Sequence, residues 1–396
     1  MRILYLNADP GVPVFGAKGA SVHVRAMAGA LARAGHEVGV LASRTGRTAE
    51  RRGGFLLLPP LAPPPAGPPP GSPAAEEHAM AHDRVHLATI LAVAREFSPD
   101  LVYERYALWS RAGVDAAREL GVPHVLEVNA PLVAEALRYR TLHHVDCAAD
   151  VARHVFGATA VLLAVSEAVA EHARAHGAEP ARVRIFPNGV DGAWGAIAPP
   201  RHAEGTRFTL GFCGSLRPWH GIEDLARIFV RVLEAAPDSR LLVVGDGPER
   251  TALERRLQRD RARGAAVFTG AVDHEEVPAW LARMDVALAP YPRLEPFYFS
   301  PLKLFEYQAA GLPVVVSRQG DLPRYVRDGE TGFLHEPGDV AAAALCVLAL
   351  RADPALARRV GEAARAEVLR EHTWERRAAE FTALARTLAP HAGVRP

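Results

Sequence analysis

The chain has 396 residues, a length that favours two domains of roughly 190 residues over a single core. Its formal net charge of +1 argues against nucleic acid as the main partner, because domains that bind nucleic acid are usually clearly basic. The three cysteines are widely spaced and odd in number, so they indicate neither a disulfide framework nor a zinc signature, and they fit a reducing cytoplasm.

The apolar segments of the chain are all short. The first begins at residue 2, which leaves no room for a signal peptide. None approaches the roughly 20 residues of a membrane span. We therefore expect a cytoplasmic protein.

These apolar segments alternate with stretches long enough for helices, such as the amphipathic pattern over 20–34. The alternation predicts βαβ units with mostly parallel sheets, and its two series predict an α/β protein of two Rossmann-like, doubly wound domains. The expected strands lie at 2–9, 37–43, 55–60, 101–106, 124–129, 160–166 and 183–189, then at 209–215, 240–247, 267–272, 286–291, 313–320 and 332–337.

The predicted domains cover residues 1–192 and 205–370. Between them, 191–205 is rich in glycine, alanine and proline and predicts a linker. Alanine, arginine and glutamate dominate the tail, and its apolar residues recur at helical spacing. We expect a terminal helix within 371–390.

Two segments have a biased composition. Residues 59–73 hold nine prolines in fifteen positions and predict a polyproline loop inside the first domain, with a ligand for an SH3-type domain as the alternative. The arginine-rich segment 251–264 predicts a surface helix, with peripheral contact to anionic lipid at the inner membrane face as the alternative.

Rare residues mark the carboxyl ends of the predicted strands, where open α/β sheets bind their ligands. Asn7, Asn129 and Asn188 are the only asparagines, and each ends a predicted strand of the first domain. An asparagine there is often only a turn residue, but three of three favour one polar crevice.

A glycine-rich turn, GAKGAS, joins the first strand to the first helix. Gly16 and Gly19 let the backbone approach a ligand, and Lys18 is one of only two lysines among 46 basic residues. Free N–H groups at such a turn can bind an anion. The spacing matches neither a Walker loop nor GxGxxG, so the turn alone does not identify a nucleotide.

The second domain repeats this arrangement. The turn CGSLRPWHG follows its first strand, and the glycine turns GDGP and TGAV close the next two strands. We expect these turns to lie at one carboxyl edge of the sheet. Their candidate ligand-binding residues are Gly214, Ser215, Arg217, His220, Gly245 and Gly270.

The segment SPLKLFEY predicts the start of a helix, with Ser300 as N-cap. Pro301 then occupies a position whose N–H would have no partner, and Leu302 follows it. First turns favour acidic residues because the macrodipole is positive there, so Lys303 indicates a negative group in front of the helix, unless it only extends into solvent. Glu306 lies one turn later on the same side, as a ligand contact or as half of a surface ion pair.

Together these features predict a diphosphate bound by the second domain. Arg217, His220 and Lys303 would supply positive potential with the helix N-terminus. Glu306 would then accept hydrogen bonds from ribose hydroxyls.

The motifs resemble those of family 4 of the retaining GT-B glycosyltransferases. The resemblance runs nearly from end to end and rests on the first glycine-rich turn with its GHEV strand, VSE (165–167), PNGVD (187–191), GSLRPWHG and SPLKLFEYQAAGLPVV. It implies two Rossmann-like domains that face a cleft. The second domain would hold a nucleotide sugar, the first would hold the acceptor, and the last helix would cross back to the first domain.

Carried over residue by residue, the resemblance makes Glu306 the ribose contact and the second member of an E-x7-E pair, whose first member falls at Tyr298. The family's usual arginine and lysine fall at Ser215 and His220. Arg217 and His220 would then carry the phosphate contacts.

The resemblance also assigns roles to the remaining candidates. On the acceptor side, a histidine often found after the fifth strand is matched by Asn129. The acceptor-side set is Gly16, Lys18, Gly19, Asn129, Glu135 and Asn188. The catalytic set is Arg217, Lys303 and Glu306, and the donor-binding set adds Gly214, Ser215, His220, Gly245, Gly270, Ser300, Pro301 and Leu302.

The implied reaction transfers a sugar from a nucleotide diphosphate to an acceptor hydroxyl with retention. UDP is favoured over GDP because it is the commonest donor nucleotide in the family. The acceptor would be a glycan, a lipid-linked sugar or a small molecule. No D-x-D triplet occurs, so we expect neither a metal nor another cofactor.

Two other functions remain open at the level of sequence. One is a sugar-nucleotide epimerase or hydrolase on the same architecture, and the other is a pseudoenzyme that only binds a nucleotide sugar. Hydrolysis by paired carboxylates needs two acids that flank the bond. Glu104, Glu127 and Glu135 are candidates in the first domain, but nothing in the sequence pairs them.

Overall fold

The structure is a computed structural model that describes residues 1–16, 18–46, 53–62, 67–196, 207–300 and 302–389. It divides into two compact units, each built on one parallel sheet. Unit 1 comprises Met1–Asn188, Tyr298–Ser300 and Trp374–Pro396, and unit 2 comprises Gly189–Phe297 and Pro301–Thr373.

Unit 1 alternates strands with helices along the chain. Its strands are β1 (Arg2–Asn7), β2 (Glu37–Ala42), β3 (Leu56–Leu57), β4 (Leu101–Arg105), β5 (His124–Val128), β6 (Val161–Ala164) and β7 (Val183–Ile185). The first helices are α1 (Gly19–Arg33), α2 (Pro73–Phe97), α3 (Ala112–Leu120), α4 (Leu132–Tyr139), α5 (Val145–Ala158) and α6 (Glu167–Ala175). The strands pair in parallel in the order β3-β2-β1-β4-β5-β6-β7.

Unit 2 has the same organisation with six strands. These are β8 (Thr209–Cys213), β9 (Arg240–Val244), β10 (Ala266–Phe268), β11 (Val286–Ala289), β12 (Val314–Ser317) and β13 (Phe333–His335). Its helices are α7 (Ile222–Ala235), α8 (Arg250–Arg259), α9 (Val277–Leu281), α10 (Leu302–Ala309), α11 (Leu322–Tyr325), α12 (Val340–Ala352) and α13 (Pro354–Glu371). The parallel order is β10-β9-β8-β11-β12-β13.

Helices cover both faces of each sheet, so the central strands are buried throughout. In β1, for example, the run from Ile3 to Leu6 has no exposed surface. Strands buried on both faces read as continuous apolar runs in the sequence, which is why the central strands could be predicted, and each of the other predicted runs also contains a strand. The predicted α/β class with two Rossmann-like domains is confirmed.

The last helix, α14 (Trp374–Leu388), belongs to unit 1. It packs against α1, where Arg33 bonds to Glu375 at 2.7 Å and the His36 ring lies 2.8 Å from the Thr382 hydroxyl. The Phe381 ring meets the Tyr103 ring edge to face in the core.

The observed units differ in detail from the predicted domain limits. Residues 189–192 and 371–373 fall in unit 2, and 298–300 fall in unit 1. Most of the predicted linker lies outside the described residues, but its start forms a short 3₁₀ turn, Gly192–Ala196. Of the proline-rich segment, 63–66 also lie outside them.

Among the described helices, no single one combines the length and apolar character of a membrane span. Helices α12 and α13 meet that criterion as a pair, but the chain bends by 107° between them.

Candidate functional site

The site of interest in unit 2 lies where its strand order reverses, between β8 and β11. Ligands of doubly wound sheets bind at the carboxyl ends of the strands that flank such a point. Helix α10 places Lys303 there, with its Nζ atom 4.4 Å from the centre of the Phe212 ring of β8 and 5.7 Å from that of Tyr291 after β11. A β-carbon on Gly214 would lie only 3.1 Å from Nζ.

The ammonium group of Lys303 is buried, and no residue in the described part of the chain forms a hydrogen bond with it. Burial lowers its pKa from 10.5 to about 7, although nearby Cys213 and Glu306 act in the opposite direction. A buried cation without a partner is costly, because the aromatic faces replace only part of its hydration. The position therefore favours an anionic ligand.

Three glycine turns line this edge of the sheet. The Gly214 N–H donates to the Val244 carbonyl at 2.9 Å, and the Gly245 N–H donates to the Gly270 carbonyl at 3.0 Å. Gly214 and Gly245 have φ values of +137° and +123°, and a β-carbon on Gly245 would lie 2.2 Å from the Gly214 oxygen. Side chains are thus excluded at Gly214 and Gly245, and the backbones of the turns after β8, β9 and β10 lie close together.

The turn after β8 carries the other predicted cations. Ser215 is exposed, and the Arg217 guanidinium lies 5.8 Å from the centre of the Trp219 ring. Arg217 forms no ion pair with any residue that the structure describes. Its guanidinium is therefore not committed to a carboxylate of the described chain, and its role in ligand binding stays a prediction.

His220 differs from the prediction in its charge. Burial first, and then Lys303, lower its pKa to about 2, so the ring is neutral. Its Nδ1 atom lies 2.5 Å from the Ser215 carbonyl, which can only accept a hydrogen bond, so we assign the proton to Nδ1. The other nitrogen, Nε2, is then an acceptor, and His220 adds no positive charge to the site.

Glu306 has a partner that the sequence did not suggest. Its Oε1 atom lies 2.9 Å from Nε2 of His274, which follows β10. His274 was missed because nothing in the motif comparison points to it. The rule that ligands gather at the carboxyl ends of strands would have included it among the candidates.

The residues just before α10 divide between the units. Ser300 belongs to unit 1, where its hydroxyl accepts from the Asn188 N–H at 3.2 Å and its carbonyl accepts from Asn188 Nδ2 at 2.6 Å. Pro301 lies outside the described residues, and Leu302 opens α10. The Ser300 hydroxyl is thus engaged within unit 1.

The glycine-rich turn of unit 1 precedes α1. Lys18 occupies the N-cap position, and its Nζ atom donates to the Gly11 carbonyl at 3.3 Å, while Gly19 opens the helix. A β-carbon on Gly16 would lie 2.6 Å from the Ser21 hydroxyl. Gly16 is therefore required by the packing of this turn.

The asparagines have separate environments at the sheet edge of unit 1. Asn7 donates to the Val12 carbonyl at 2.7 Å, as a turn residue would, and Asn188 is bound to Ser300. Asn129 directly follows β5, and its Nδ2 atom is buried without a partner in the described structure. Of the three, Asn129 is the one with an unused donor.

Glu135, on α4, is already engaged within unit 1. It accepts hydrogen bonds from Arg140 at 3.1 Å and from the Tyr298 hydroxyl at 3.2 Å. Tyr298 is buried in the same unit, with 6% of its surface exposed.

The other two candidate carboxylates of unit 1 are paired with buried histidines. Glu127 lies 2.6 Å from His23, and Glu104 lies 2.8 Å from His124. In the register of β4 and β5, Arg105 is opposite Glu127, so Glu104 and Glu127 point to opposite faces of the sheet. They do not form the flanking pair that hydrolysis of a glycosidic bond requires.

Within the described ranges, no group of three or more His, Cys, Asp or Glu residues is arranged to hold a metal ion.

Comparisons with known proteins agree with this architecture. The family model "Glycosyltransferase Family 4" matches residues 17–194, and "Glycosyl transferases group 1" matches 207–353. Glycogen synthase of Mycobacterium tuberculosis is 29% identical over 394 residues, which cover 95% of this chain and 92% of that protein. A GDP-mannose-dependent alpha-mannosyltransferase of Mycolicibacterium smegmatis is 32% identical over 295 residues, 72% of each protein.

Solved structures show the same fold at lower identity. HepE of Anabaena, crystallised in complex with UDP, is 18% identical with a TM-score of 0.74, over 98% of this chain and all of that one. Sucrose-phosphate synthase of Thermosynechococcus elongatus is 20% identical with a TM-score of 0.74, over 99% of this chain and all of that one. The shared fold is the GT-B fold, which has two Rossmann-like domains.

Proposed function

This chain belongs to the family 4 glycosyltransferases, and on that premise we propose that it moves a sugar from a UDP-sugar to an acceptor hydroxyl with retention of configuration. Its activity as a glycosyltransferase with a nucleotide-sugar donor follows from its relatives. The choice of UDP is supported by the UDP complex of HepE, and the GDP-mannose-dependent relative makes GDP the second candidate.

One observation carries the proposed donor site: the ammonium of Lys303 is buried without a partner at the switch point of the unit 2 sheet. A diphosphate would supply the missing negative charge. Arg217 lies on the adjoining turn after β8 and would bind the same group. These two cations supply charge compensation without a metal, so the proposal includes none.

The protein's main contribution to the reaction would be electrostatic. As the bond between the anomeric carbon and the diphosphate oxygen breaks, negative charge grows on the diphosphate, where Lys303 and Arg217 stabilise it. The acceptor oxygen forms the new bond on the same face of the sugar. Its proton passes to the departing phosphate oxygen, so atoms and charge balance.

The nucleotide's ribose would bind Glu306. Its Oε1 atom is engaged by His274, and no described residue donates to Oε2, which leaves that oxygen for a ribose hydroxyl. The exposed Ser215 and the glycine turns at Gly214, Gly245 and Gly270 would let the backbone approach the phosphates and the base.

The acceptor is proposed to bind unit 1. Asn129 offers an unused donor at the carboxyl end of β5, and Lys18 lies at the start of α1. The relatives act on sugar or glycolipid acceptors, so a glycan, a lipid-linked sugar or a small hydroxylated molecule all suit this role. For a lipid-linked acceptor, Arg250 and Arg256 of α8 offer little to a membrane, because each is paired with two carboxylates.

The test combines nucleotide binding with turnover. Thermal unfolding in the presence of UDP, GDP and their sugars identifies the donor by the largest stabilisation. With that donor, we expect Lys303→Ala and Arg217→Ala each to lower kcat/KM by about 10²–10³. Near-normal turnover in both variants would contradict the proposed donor site.

A further inference from the structure

We propose that His274 is a positioning residue of the nucleotide site, which orients the Glu306 carboxylate toward the ribose hydroxyls of the donor. This inference rests on the donor site proposed above and extends it to a residue outside the sequence motifs. It concerns unit 2 alone, because both side chains belong to that unit.

The contact itself is short and partly shielded from water. His274 Nε2 lies 2.9 Å from Glu306 Oε1, and the two side chains are 29% and 14% exposed. A carboxylate oxygen only accepts hydrogen bonds, so Nε2 carries the hydrogen. A hydrogen bond to a charged acceptor at this distance is among the stronger ones in proteins.

The imidazole ring is fixed by its own surroundings. Its turn, His274–Glu276, begins with a capping box in which the Asp273 N–H donates to the Glu276 carboxylate at 3.2 Å. The ring centre lies 6.2 Å from that of Trp194, which is buried. A ring held by a capped turn and an aromatic neighbour can impose an orientation on its partner.

Orientation is what Glu306 requires for recognition. A glutamate side chain has three rotatable bonds, and the bond from His274 to Oε1 selects one arrangement. The other oxygen, Oε2, accepts from no residue that the structure describes. Glu306 lies one turn beyond Lys303 on the same side of α10. The proposed ribose contact and the proposed diphosphate contact therefore come from neighbouring positions of one helix, as the short link between ribose and diphosphate requires.

The alternative is that the same contact only ties the loop after β10 to α10. Loss of a structural tie would weaken the binding of all nucleotides equally. Loss of the carboxylate's orientation would weaken the binding only of a nucleotide that carries ribose hydroxyls. The decisive probe is therefore a pair of ligands, UDP and 2′,3′-dideoxy-UDP, or the guanine pair if the native protein binds GDP more tightly.

Binding of both ligands is measured by calorimetry. We expect the native protein to prefer UDP over the dideoxy analogue by about 10-fold or more, since a hydrogen bond to a charged group is lost. His274→Ala should bind UDP about 10-fold less tightly and the analogue within about twofold of native. His274→Gln, whose amide can donate to Glu306, should recover part of the preference.

Glu276→Gln is the matched control, because it weakens the capped turn without removing the donor to Glu306. We expect it to keep the native preference. If His274→Ala lost the same affinity for both ligands, or kept the native preference for UDP, the role proposed for His274 would be overturned, whereas the donor site would not. A native protein that binds neither UDP nor GDP would instead overturn the donor site itself.

Discussion

The two units treat buried charge in opposite ways. In unit 1, Glu127 lies against His23 and Glu104 lies against His124, so each buried carboxylate has a partner within the unit. Burial would raise the pKa of Glu127, but His23 and then Arg105 outweigh it and hold that pKa below its usual range. In unit 2, the buried ammonium of Lys303 has no partner in the described structure.

We expect this difference to distinguish charges that stabilise the fold from charges that bind a ligand, on two sheets of the same type. A compensated pair contributes to the fold, and removal of one member leaves the other buried without compensation for its charge. An uncompensated charge opposes folding and is retained for what it binds. Mutations in the two units should therefore change stability in opposite directions.

The largest expected effect is on the stability of unit 1. His23→Ala should lower the free energy of unfolding by about 3–5 kcal/mol, because it leaves the Glu127 carboxylate buried without its partner. Urea unfolding measures this. The double variant His23→Ala/Glu127→Ala should lose less than the sum of the single variants, and strict additivity would show that the two residues do not interact.

Lys303→Met tests whether loss of an uncompensated charge in unit 2 changes folding stability in the opposite direction. We expect kcat/KM to fall by about 10²–10³, or about 2.7–4 kcal/mol, while the ligand-free protein is no less stable than native. The lysine opposes folding most below pH 7, where it must be charged in the folded state, and this cost fades as pH rises from about 7 to 10.5. Any gain in stability should therefore be larger at pH 6 than at pH 9, and a clear loss at pH 6 would contradict the comparison.

The same lysine predicts a pH dependence of nucleotide binding. A bound diphosphate favours the charged form, so binding draws a proton onto Lys303 above its ligand-free pKa of about 7. UDP affinity should then fall as pH rises above 7, by at most about tenfold per unit. Calorimetry in buffers of different ionisation enthalpy would detect the proton, and Lys303→Met should show neither effect.

The smallest expected effect concerns a compensated pair that is not buried. Arg33 and Glu375 bond at 2.7 Å in unit 1, but about half of each side chain is exposed. Arg33→Ala should therefore cost less than about 1 kcal/mol of unfolding free energy. A loss as large as that of His23→Ala would show that burial is not what separates the two cases.

The sequence predicted the strands well because their runs are apolar on both faces, as in β1 and β11. It also placed Lys303 in the first turn of a helix and the glycine turns directly after strands, since local motifs determine those positions. Their binding roles stay predictions that the experiments above address.

The parts that sequence reasoning missed are long-range contacts. His274 and Glu306 are 32 residues apart, and His23 and Asn188 are 165 apart, so no local pattern reveals either pair. The charge of His220 was wrongly anticipated for a related reason, because only the folded environment shows its burial and its bond to Ser215. Spacing along the chain shows which residues can reach a strand end, whereas tertiary packing determines their protonation and their partners.

The stacked glycine turns would also limit any re-engineering of the proposed donor site. A methyl group on Gly245 would lie 2.2 Å from the Gly214 carbonyl oxygen, and the Gly245 N–H donates to the Gly270 carbonyl, so the conformations of the three turns depend on one another. A single loop taken from a homologue with another sugar preference should therefore pack poorly against the two native loops. A functional exchange should require replacement of all three loops together.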